Sequence, residues 1–281
     1  MKFPSRALLR VTSVPVLTVT LICGFAYFAP GNSLRTVAAQ SMSPSGSFGF
    51  LINATFVPAS NKQGTAILGV MNFDGAGNVA GSYTYEVGAG TPNVPQTRTG
   101  TFTGTYSSNP DGTGSATIAL DAGITVGLNM LIAESGRSLQ LVATNCSGGG
   151  CDLVGTSFSG IARAGQAGSL NGSYGFQFNN SPYAGGSLGV AKFDGAGNVS
   201  VSLTFIGAGD SNGVTSVFMG TQTGTYSINP DGSGTLNFPA VPGQSQSQTY
   251  AFVVTDGGSA LLVLQTDRSG NGVSFGPARL Q

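Results

Sequence analysis

Hydrophobic and polar residues alternate with a period of two along most of the chain after residue 45. In the first such stretch, Phe48, Phe50, Ile52, Ala54 and Phe56 take every second position. Alternation that is rich in Thr, aromatic and β-branched residues predicts strands with one buried face. No stretch after the N-terminal segment has the 3.6-residue spacing of an amphipathic helix, so we expect an all-β protein. The predicted strands are 48–56, 65–73, 79–87, 99–107, 116–120, 126–132, 139–143 and 155–163, then 174–178, 188–193, 199–206, 217–227, 236–238, 250–254, 261–263 and 273–275.

The strand pattern occurs twice because the sequence contains an internal repeat. The stretch Phe73–Val79 returns letter for letter as Phe193–Val199, 120 positions later. Gly104–Gly112 recurs as Gly224–Gly232 at the same offset with one difference. Two copies at so long a spacing indicate a duplicated domain rather than a solenoid. We expect repeat one at 40–164, a linker at 165–170 and repeat two at 171–281.

Each repeat has about eight short strands joined by short links, which is typical of an antiparallel meander. Eight such strands can close into a barrel of the lipocalin-like kind, which removes both exposed edges. The interior of such a barrel is filled by side chains or holds one small ligand. The alternative is a pair of two-sheet β-sandwiches.

Alternate connections of a meander lie at opposite ends, and those at one end carry turn chemistry. Asp74, Gly75, Gly77 and Asn78 form one predicted structural turn, and its copy consists of Asp194, Gly195, Gly197 and Asn198. Asp can bond its own backbone, and Gly accepts positive φ. The pattern G-x-G-x-x-A at 75–80 fits a dinucleotide motif, but a strand follows where that motif needs a helix. A calcium loop would need more carboxylates, so we expect no cofactor and no metal.

The connections at the other end are longer and differ between the repeats. Residues 57–64 correspond to 179–186, and residues 88–98 correspond to 207–216. Binding sites are often built on variable loops of a rigid scaffold. We therefore expect a ligand site at this end, the alternative being loops that merely tolerate change.

The N-terminus has the layout of a secretory signal. Lys2, Arg6 and Arg10 precede an apolar run at 11–29, and small residues lead to a predicted cleavage after Ala39. An uncleaved membrane anchor is the alternative. We expect a secreted, periplasmic or cell-surface protein that meets the membrane only through this segment.

Export to an oxidising compartment suits the two cysteines of repeat one. Cys146 and Cys151 are predicted to form a disulfide, with free thiols or a soft-metal site as alternatives. The third cysteine, Cys23, lies within the apolar run.

The absence of His and the balance of basic and acidic residues exclude several classes of function. The chain has no His, which excludes Ser-His and Cys-His nucleophile pairs and imidazole metal sites. A carboxylate pair remains possible, but most acids lie in turns, and Glu86 is expected on a solvated strand face. Without its first 39 residues the chain carries 7 basic and 11 acidic residues, so nucleic acid is not an expected partner. Arg163 and Arg279 end the last strands of the repeats, where we expect them to close each barrel against its first strand.

Three blocks carry a resemblance to a known group. Gly-Ser-Tyr-Gly-Phe, Phe-Asp-Gly-Ala-Gly-Asn-Val and Gly-Thr-Tyr-Ser-Ile-Asn-Pro-Asp-Gly resemble uncharacterised exported bacterial proteins with the same order of motifs, over residues 46–163 and 172–279. The strand count also resembles lipocalin-type barrels, although the chain has no Trp. Neither resemblance carries a functional residue over. We expect a non-catalytic protein that binds an unknown small molecule or cell-envelope component at the long-loop ends. The alternative is a structural or adhesive cell-envelope module, and an enzyme ranks third.

Overall fold

The computed structural model describes residues 43–56, 63–87, 96–148, 159–164, 169–181, 185–206, 217–240, 247–267 and 273–281. These residues form sixteen strands and two one-turn 3-10 segments, Glu134–Gly136 and Asp256–Gly258. The first eight strands are β1 Gly46–Phe56, β2 Gln63–Phe73, β3 Asn78–Val87, β4 Gln96–Ser108, β5 Thr113–Leu120, β6 Thr125–Ala133, β7 Ser138–Ser147 and β8 Ser159–Ala164. The others are β9 Asn171–Ser181, β10 Gly186–Asp194, β11 Asn198–Ile206, β12 Val217–Ile228, β13 Ser233–Phe238, β14 Gln248–Thr255, β15 Ala260–Gln265 and β16 Val273–Leu280.

The strands form two closed eight-stranded antiparallel barrels, β1–β8 and β9–β16. In each barrel every strand pairs with the next, and the last strand returns to the first: Arg163 lies opposite Gly49, and Arg279 opposite Gly175. The predicted all-β fold of two tandem meander barrels is therefore confirmed, and the sandwich alternative is wrong. Within the described residues, no helix is both long and apolar enough to cross a membrane. The predicted signal segment lies outside the described residues.

Aromatic side chains pack in the same arrangement at the tight-turn end of both barrels. Phe73 contacts Phe48 and Tyr106 edge to face, with ring centroids 5.3 and 4.9 Å apart. In the second barrel Phe193 contacts Tyr174 and Tyr226 in the same way, at 5.3 and 5.1 Å. Each such pair contributes roughly 0.5–1.5 kcal/mol beyond its buried area, so the repeated motifs keep this layer of the core unchanged.

The conserved geometry of the first turn explains why its sequence is identical in the two repeats. Asp74 Oδ1 accepts hydrogen bonds from the backbone N–H groups of Ala76 and Asn78, at 2.7 and 2.9 Å. Asn78 Nδ2 donates to Asp74 Oδ2 at 2.6 Å. Gly75 and Gly77 have φ of +76° and +104°, values that only Gly adopts at low cost.

The second repeat reproduces this turn closely. Asp194 accepts the same three bonds at 2.7, 2.9 and 2.5 Å. In both turns the donors lower the pKa of the Asp, the Asn side chain most of all. Backbone and amide donors thus occupy the carboxylates of both turns.

Residues 39–281 form one compact unit, because an apolar seam joins the outer faces of the barrels. Strands β1 and β2 contact β14 and β15, and β2 also contacts β16. The residues of this seam are Leu51, Ala66, Leu68 and Val70 of the first barrel with Val253, Leu262, Leu264 and Phe275 of the second. All of them are buried, so β2 and β15 are covered on both faces.

Gly49 lies at a close approach of the two barrels in the seam. A Cβ atom at this position would lie 2.6 Å from Thr255 Cγ2 and 2.6 Å from Val253 Cγ1. Normal carbon contacts are roughly 3.5–4.0 Å. Only a residue without a side chain allows β1 to lie so near β14.

The seam corrects the expectation for Glu86. The side chain points to the outer face of β3, as alternation predicts, and Ala66 is its partner on β2. However, Glu86 is only 1 % exposed. The sequence-based expectation of a solvated Glu86 was wrong because it treated each barrel as isolated.

Candidate functional site

The second barrel is sealed at the end that carries the tight turns. Leu170, just before β9, is completely buried in the barrel core, and its carbonyl accepts a 2.8 Å hydrogen bond from Tyr226 OH. Tyr174 OH donates to the carbonyl of Gly258 at 2.6 Å. Leu170 and these two bonds therefore close the tight-turn end of this barrel.

A cavity of about 50 Å³ lies inside the second barrel. Several of its lining residues are at strand ends that lead into the long connections: Phe178 on β9, Phe238 at the end of β13 and Gln248 at the start of β14. Apolar residues that also line it include Phe176, Phe193, Leu236, Leu261 and Val263. The cavity thus runs from the barrel core toward the end where the sequence predicts a ligand site.

Comparison of the two repeats explains why the second barrel has this cavity. At the 120-residue offset, Met71 corresponds to Ala191 and Phe102 to Gln222. Both pairs are buried, and both residues of the first barrel belong to its core. The corresponding cavity of the first barrel is about 20 Å³. Smaller or polar residues at inward positions therefore leave space in the second barrel.

At a third inward position the second barrel again has a smaller, more polar residue than the first. Ile67 of the first barrel is buried in the core, whereas its counterpart Ser187 lines the cavity of the second barrel. In addition, the first barrel is closed near its long-loop end by Tyr83, whose OH donates to Asp121 Oδ1 at 2.8 Å. Asp121 Oδ2 accepts from the backbone N–H of Thr101 at 2.8 Å. Leu203 takes the place of Tyr83 in the second barrel.

Tyr83 and Asp121 behave electrostatically as a stable hydrogen-bonded pair. Burial and the bond to Asp121 raise the pKa of Tyr83 to about 12. The backbone N–H of Thr101, followed by the Tyr83 hydroxyl, lowers the pKa of Asp121. The phenol therefore stays protonated and the carboxylate stays charged over the physiological range, so this contact keeps the first barrel closed.

The second cavity combines an aromatic wall with a few polar groups. Phe178 lies between Phe176 and Tyr250, with centroids 4.7 and 6.3 Å away. Tyr250 OH donates to Gln248 Oε1 at 3.2 Å. Gln222 is only 5 % exposed. Mostly apolar walls with a few placed amide and hydroxyl groups are typical of small-molecule sites.

The residues predicted from sequence fall into three places. The turn residues, Asp74 and Asp194 among them, lie at the end of their barrels opposite to the cavity opening. The long connections lie largely outside the described residues, as does Cys151. Cys146 is on β7, and its pairing with Cys151 stays a prediction, which a mass shift on reduction tests.

Sequence reasoning missed the cavity residues Ser187, Ala191 and Gln222. A signal for them exists: they are inward positions at which the second repeat is smaller or more polar than the first. The matching turns, where the repeats agree, carry no such signal. The differences inside the strands carry the information on binding.

The structure also brings two carboxyl groups together, but away from the cavity. Asp267 follows β15 and raises the pKa of Glu86 by its negative charge, in addition to the larger effect of burial. Retaining and inverting glycosidases hold two acids across an accessible cleft. With Glu86 1 % exposed, its carboxyl group has no room for a substrate. This pair belongs to the seam between the barrels.

Comparisons with known proteins give only distant similarity. No protein-family model matches the chain, and no curated protein matches it. A crystal structure of a protein provisionally assigned as AttH, from Nitrosomonas europaea, aligns with a TM-score of 0.32 and 9 % identity, over 89 % of this chain and 97 % of that one. Rv2717c from M. tuberculosis aligns at 0.23 and 17 %, over 66 % and 94 %. CghA, solved with Sch210972, aligns at 0.24 and 10 %, over 85 % and 89 %. Similarity at this level carries no argument about the function of this chain.

Proposed function

We propose that this chain is an exported, non-catalytic binding protein whose second barrel takes a small, mostly apolar ligand from the long-loop end. The observation that carries the proposal is the divergence of the two interiors. Ala191 and Gln222 replace Met71 and Phe102 and leave a cavity of about 50 Å³. Loss of large core residues costs stability, by roughly 2–5 kcal/mol for a change such as Met to Ala. A ligand that fills the cavity would offset this cost.

The size and chemistry of the cavity define the ligand class. Drug-sized ligands occupy pockets of roughly 300–1,000 Å³, so a cavity of about 50 Å³ holds one end of a ligand. The remainder would extend past Phe178, Phe238 and Gln248 toward the long connections. The cavity is lined mostly by apolar side chains with few polar ones, such as those of Ser187 and Gln248, and this suits a mostly apolar ligand with one hydrogen-bonding group. An alkyl chain or a ring that bears a single carbonyl or hydroxyl group has this chemistry.

A structural or adhesive role is the second candidate, and one surface feature favours it. Leu188 and Met219 are exposed by 58 % and 75 %. Both pair with Thr204 of β11, which lies between them, so they share the outer face of the second barrel at a separation of two strand spacings, roughly 10 Å. An apolar outer patch of this kind suits contact with another envelope component.

A substitution taken from the first barrel tests the binding proposal. Ala191→Met introduces the residue that the first barrel carries at the same position, so the fold is known to accept it. We expect wild-type protein to bind the neutral apolar fluorophore 1-N-phenylnaphthylamine saturably, with one site per chain. Filling the cavity should raise the Kd of the variant at least tenfold, which corresponds to about 1.4 kcal/mol.

The matched control introduces the same side chain one position further along β10. Lys192 is exposed on the outer face, so Lys192→Met should leave the Kd unchanged. Equal affinity of the Ala191→Met variant and wild type would contradict the proposal, as would a loss of binding in the Lys192→Met variant alone.

A further inference from the structure

A polar chain of contacts crosses from one barrel to the other beside the apolar seam. Glu86 on β3 is 1 % exposed and lies next to Ala66, a seam residue. The hydroxyl of Thr97 on β4 contacts Glu86 Oε2. The same hydroxyl donates to the carbonyl of Thr266, in the second barrel, at 2.7 Å. Glu86 is therefore connected to the second barrel through one shared hydroxyl group.

Hydrogen counting indicates the protonation state of this chain of contacts. A threonine hydroxyl has one hydrogen to donate, yet Thr97 Oγ1 lies within bonding distance of two acceptors, Glu86 Oε2 and the Thr266 carbonyl, and a hydrogen given to the carbonyl leaves none for Glu86. A carboxylate at Glu86 would then meet the Thr97 oxygen with no hydrogen between them. A neutral Glu86 supplies the missing hydrogen and donates to Thr97. The complete chain of contacts consequently requires a protonated carboxyl group.

The groups that face Glu86 favour the same state. Asp267, which follows β15, is the charged group that acts on it from the second barrel, and its negative charge opposes ionisation of Glu86. One oxygen of Asp267, Oδ2, is buried without a hydrogen-bond partner, while Oδ1 accepts from Gln265 Nε2 at 3.4 Å. Thr97 and Thr266 are uncharged. Arg98, the next residue of β4, is exposed.

We propose that Glu86, Thr97 and Thr266 form a proton-dependent clasp that holds the two barrels together when Glu86 is neutral and loosens the seam when Glu86 ionises beside Asp267. The clasp couples the acidity of the surroundings to the contact between the barrels. The clasp is separate from the ligand cavity, since none of its three residues lines that cavity.

The direction of the pH effect follows from the environment of Glu86. Burial raises its pKa from 4.5 to about 7 in the closed seam, and the negative charge of Asp267 adds to this shift. When the seam opens, water restores an ordinary value. The closed state therefore binds more protons between pH 4.5 and about 7, so the seam weakens as pH rises through this window and changes no further above it.

A cysteine placed in the seam measures its opening. Ala66 is fully buried there, and Ala66→Cys is a small change. The rate of alkylation by iodoacetamide at position 66, followed by mass spectrometry of its peptide and divided by the rate in denatured protein at the same pH, gives a protection factor. We expect this factor to fall on the order of tenfold or more between pH 5 and pH 8.

Four variants separate opening of the clasp from general unfolding. Ala116→Cys places the thiol inside the first barrel, where protection should stay constant over the same range. Adding Glu86→Gln to Ala66→Cys should abolish the loss of protection between pH 5 and pH 8, since the amide can donate to Thr97 at any pH. Adding Glu134→Gln, which alters the other Glu of the sequence, should leave that loss unchanged. Asp267→Asn provides a second route and should reduce the change. Equal protection at pH 5 and pH 8, the same loss in the Glu86→Gln background, or a parallel loss at position 116 would overturn the proposal.

Discussion

Gly49→Ala tests the seam with a single methyl group. The added carbon would lie 2.6 Å from Thr255 Cγ2, 2.6 Å from Val253 Cγ1 and 3.3 Å from Val253 Cβ. Relief to a normal contact requires the barrels to separate locally by about 1 Å. Thr255 and Val253 are 0 % and 2 % exposed, so neither side chain has free space to move into. Overpacking of this kind costs typically 1–3 kcal/mol, and we expect about 2 kcal/mol for Gly49→Ala.

The duplication provides a matched control for this substitution. Gly175 holds the same place in β9 as Gly49 in β1, and a Cβ atom there would also meet an atom at 2.6 Å. That atom is Nε2 of Gln281, an exposed side chain at the end of the chain, which can rotate away. Both substitutions change the entropy of the unfolded chain equally, so that contribution cancels in the comparison.

Urea denaturation followed by far-ultraviolet circular dichroism gives the free energy of unfolding for both variants. We expect Gly175→Ala to differ from wild type by less than about 0.5 kcal/mol. Gly49→Ala should be less stable, or should split a single transition into two as the barrels uncouple. Equal stability of the two variants, with one shared transition, would refute the view that the seam is tightly packed at Gly49.

Three further perturbations have expected outcomes. Thermal stability should fall as pH rises from about 4.5 to 7, because folding raises the pKa of Glu86 to about 7. The full pKa shift corresponds to about 3 kcal/mol of unfolding free energy. The Tm of the Glu86→Gln variant should not fall over this pH range. Tyr106→Phe and Tyr226→Phe should each cost about 1 kcal/mol in urea unfolding, since their hydroxyls donate equivalent bonds to the backbone carbonyls of Pro44 and Leu170. A large difference between the two costs would contradict the equivalence of these bonds. Asp194→Ala should lower the Tm, because one carboxylate accepts three bonds. Its pKa is lowered by folding, so wild type should lose this contribution as pH falls below about 4, and an unchanged acid melting profile in the variant would argue against it.

The strands and tight turns could be predicted because their signals are local. Alternation along Phe48–Phe56 and the Asp-Gly-x-Gly-Asn turns depend on neighbouring residues only. The burial of Glu86 depends on a second barrel whose position no local pattern specifies. A partial signal was present in Ala66–Met71 and Ala260–Gln265, where apolar residues lie on both faces of a strand. Such runs are typical of strands that are covered on both sides.

The cavity could not be predicted from the sequence for a different reason. A small residue at position 191 is unremarkable within a strand, and Gln222 fits the Thr-rich pattern of β12. That these residues leave a cavity becomes apparent only by comparison with the larger residues Met71 and Phe102 at the same points of the first barrel. Only the closed barrel shows that these positions share one interior, and that their differences add up to a single space.

The central claim is that the interior of the second barrel holds a larger cavity than that of the first, and xenon tests it most directly. Xenon is apolar and occupies small apolar cavities in protein interiors. Diffraction from crystals pressurised with the gas should show a xenon atom inside the second barrel, between Ala191 and Gln222, and none inside the first barrel beside Met71 and Phe102. Equal occupancy of both barrels, or an empty second barrel, would contradict the account.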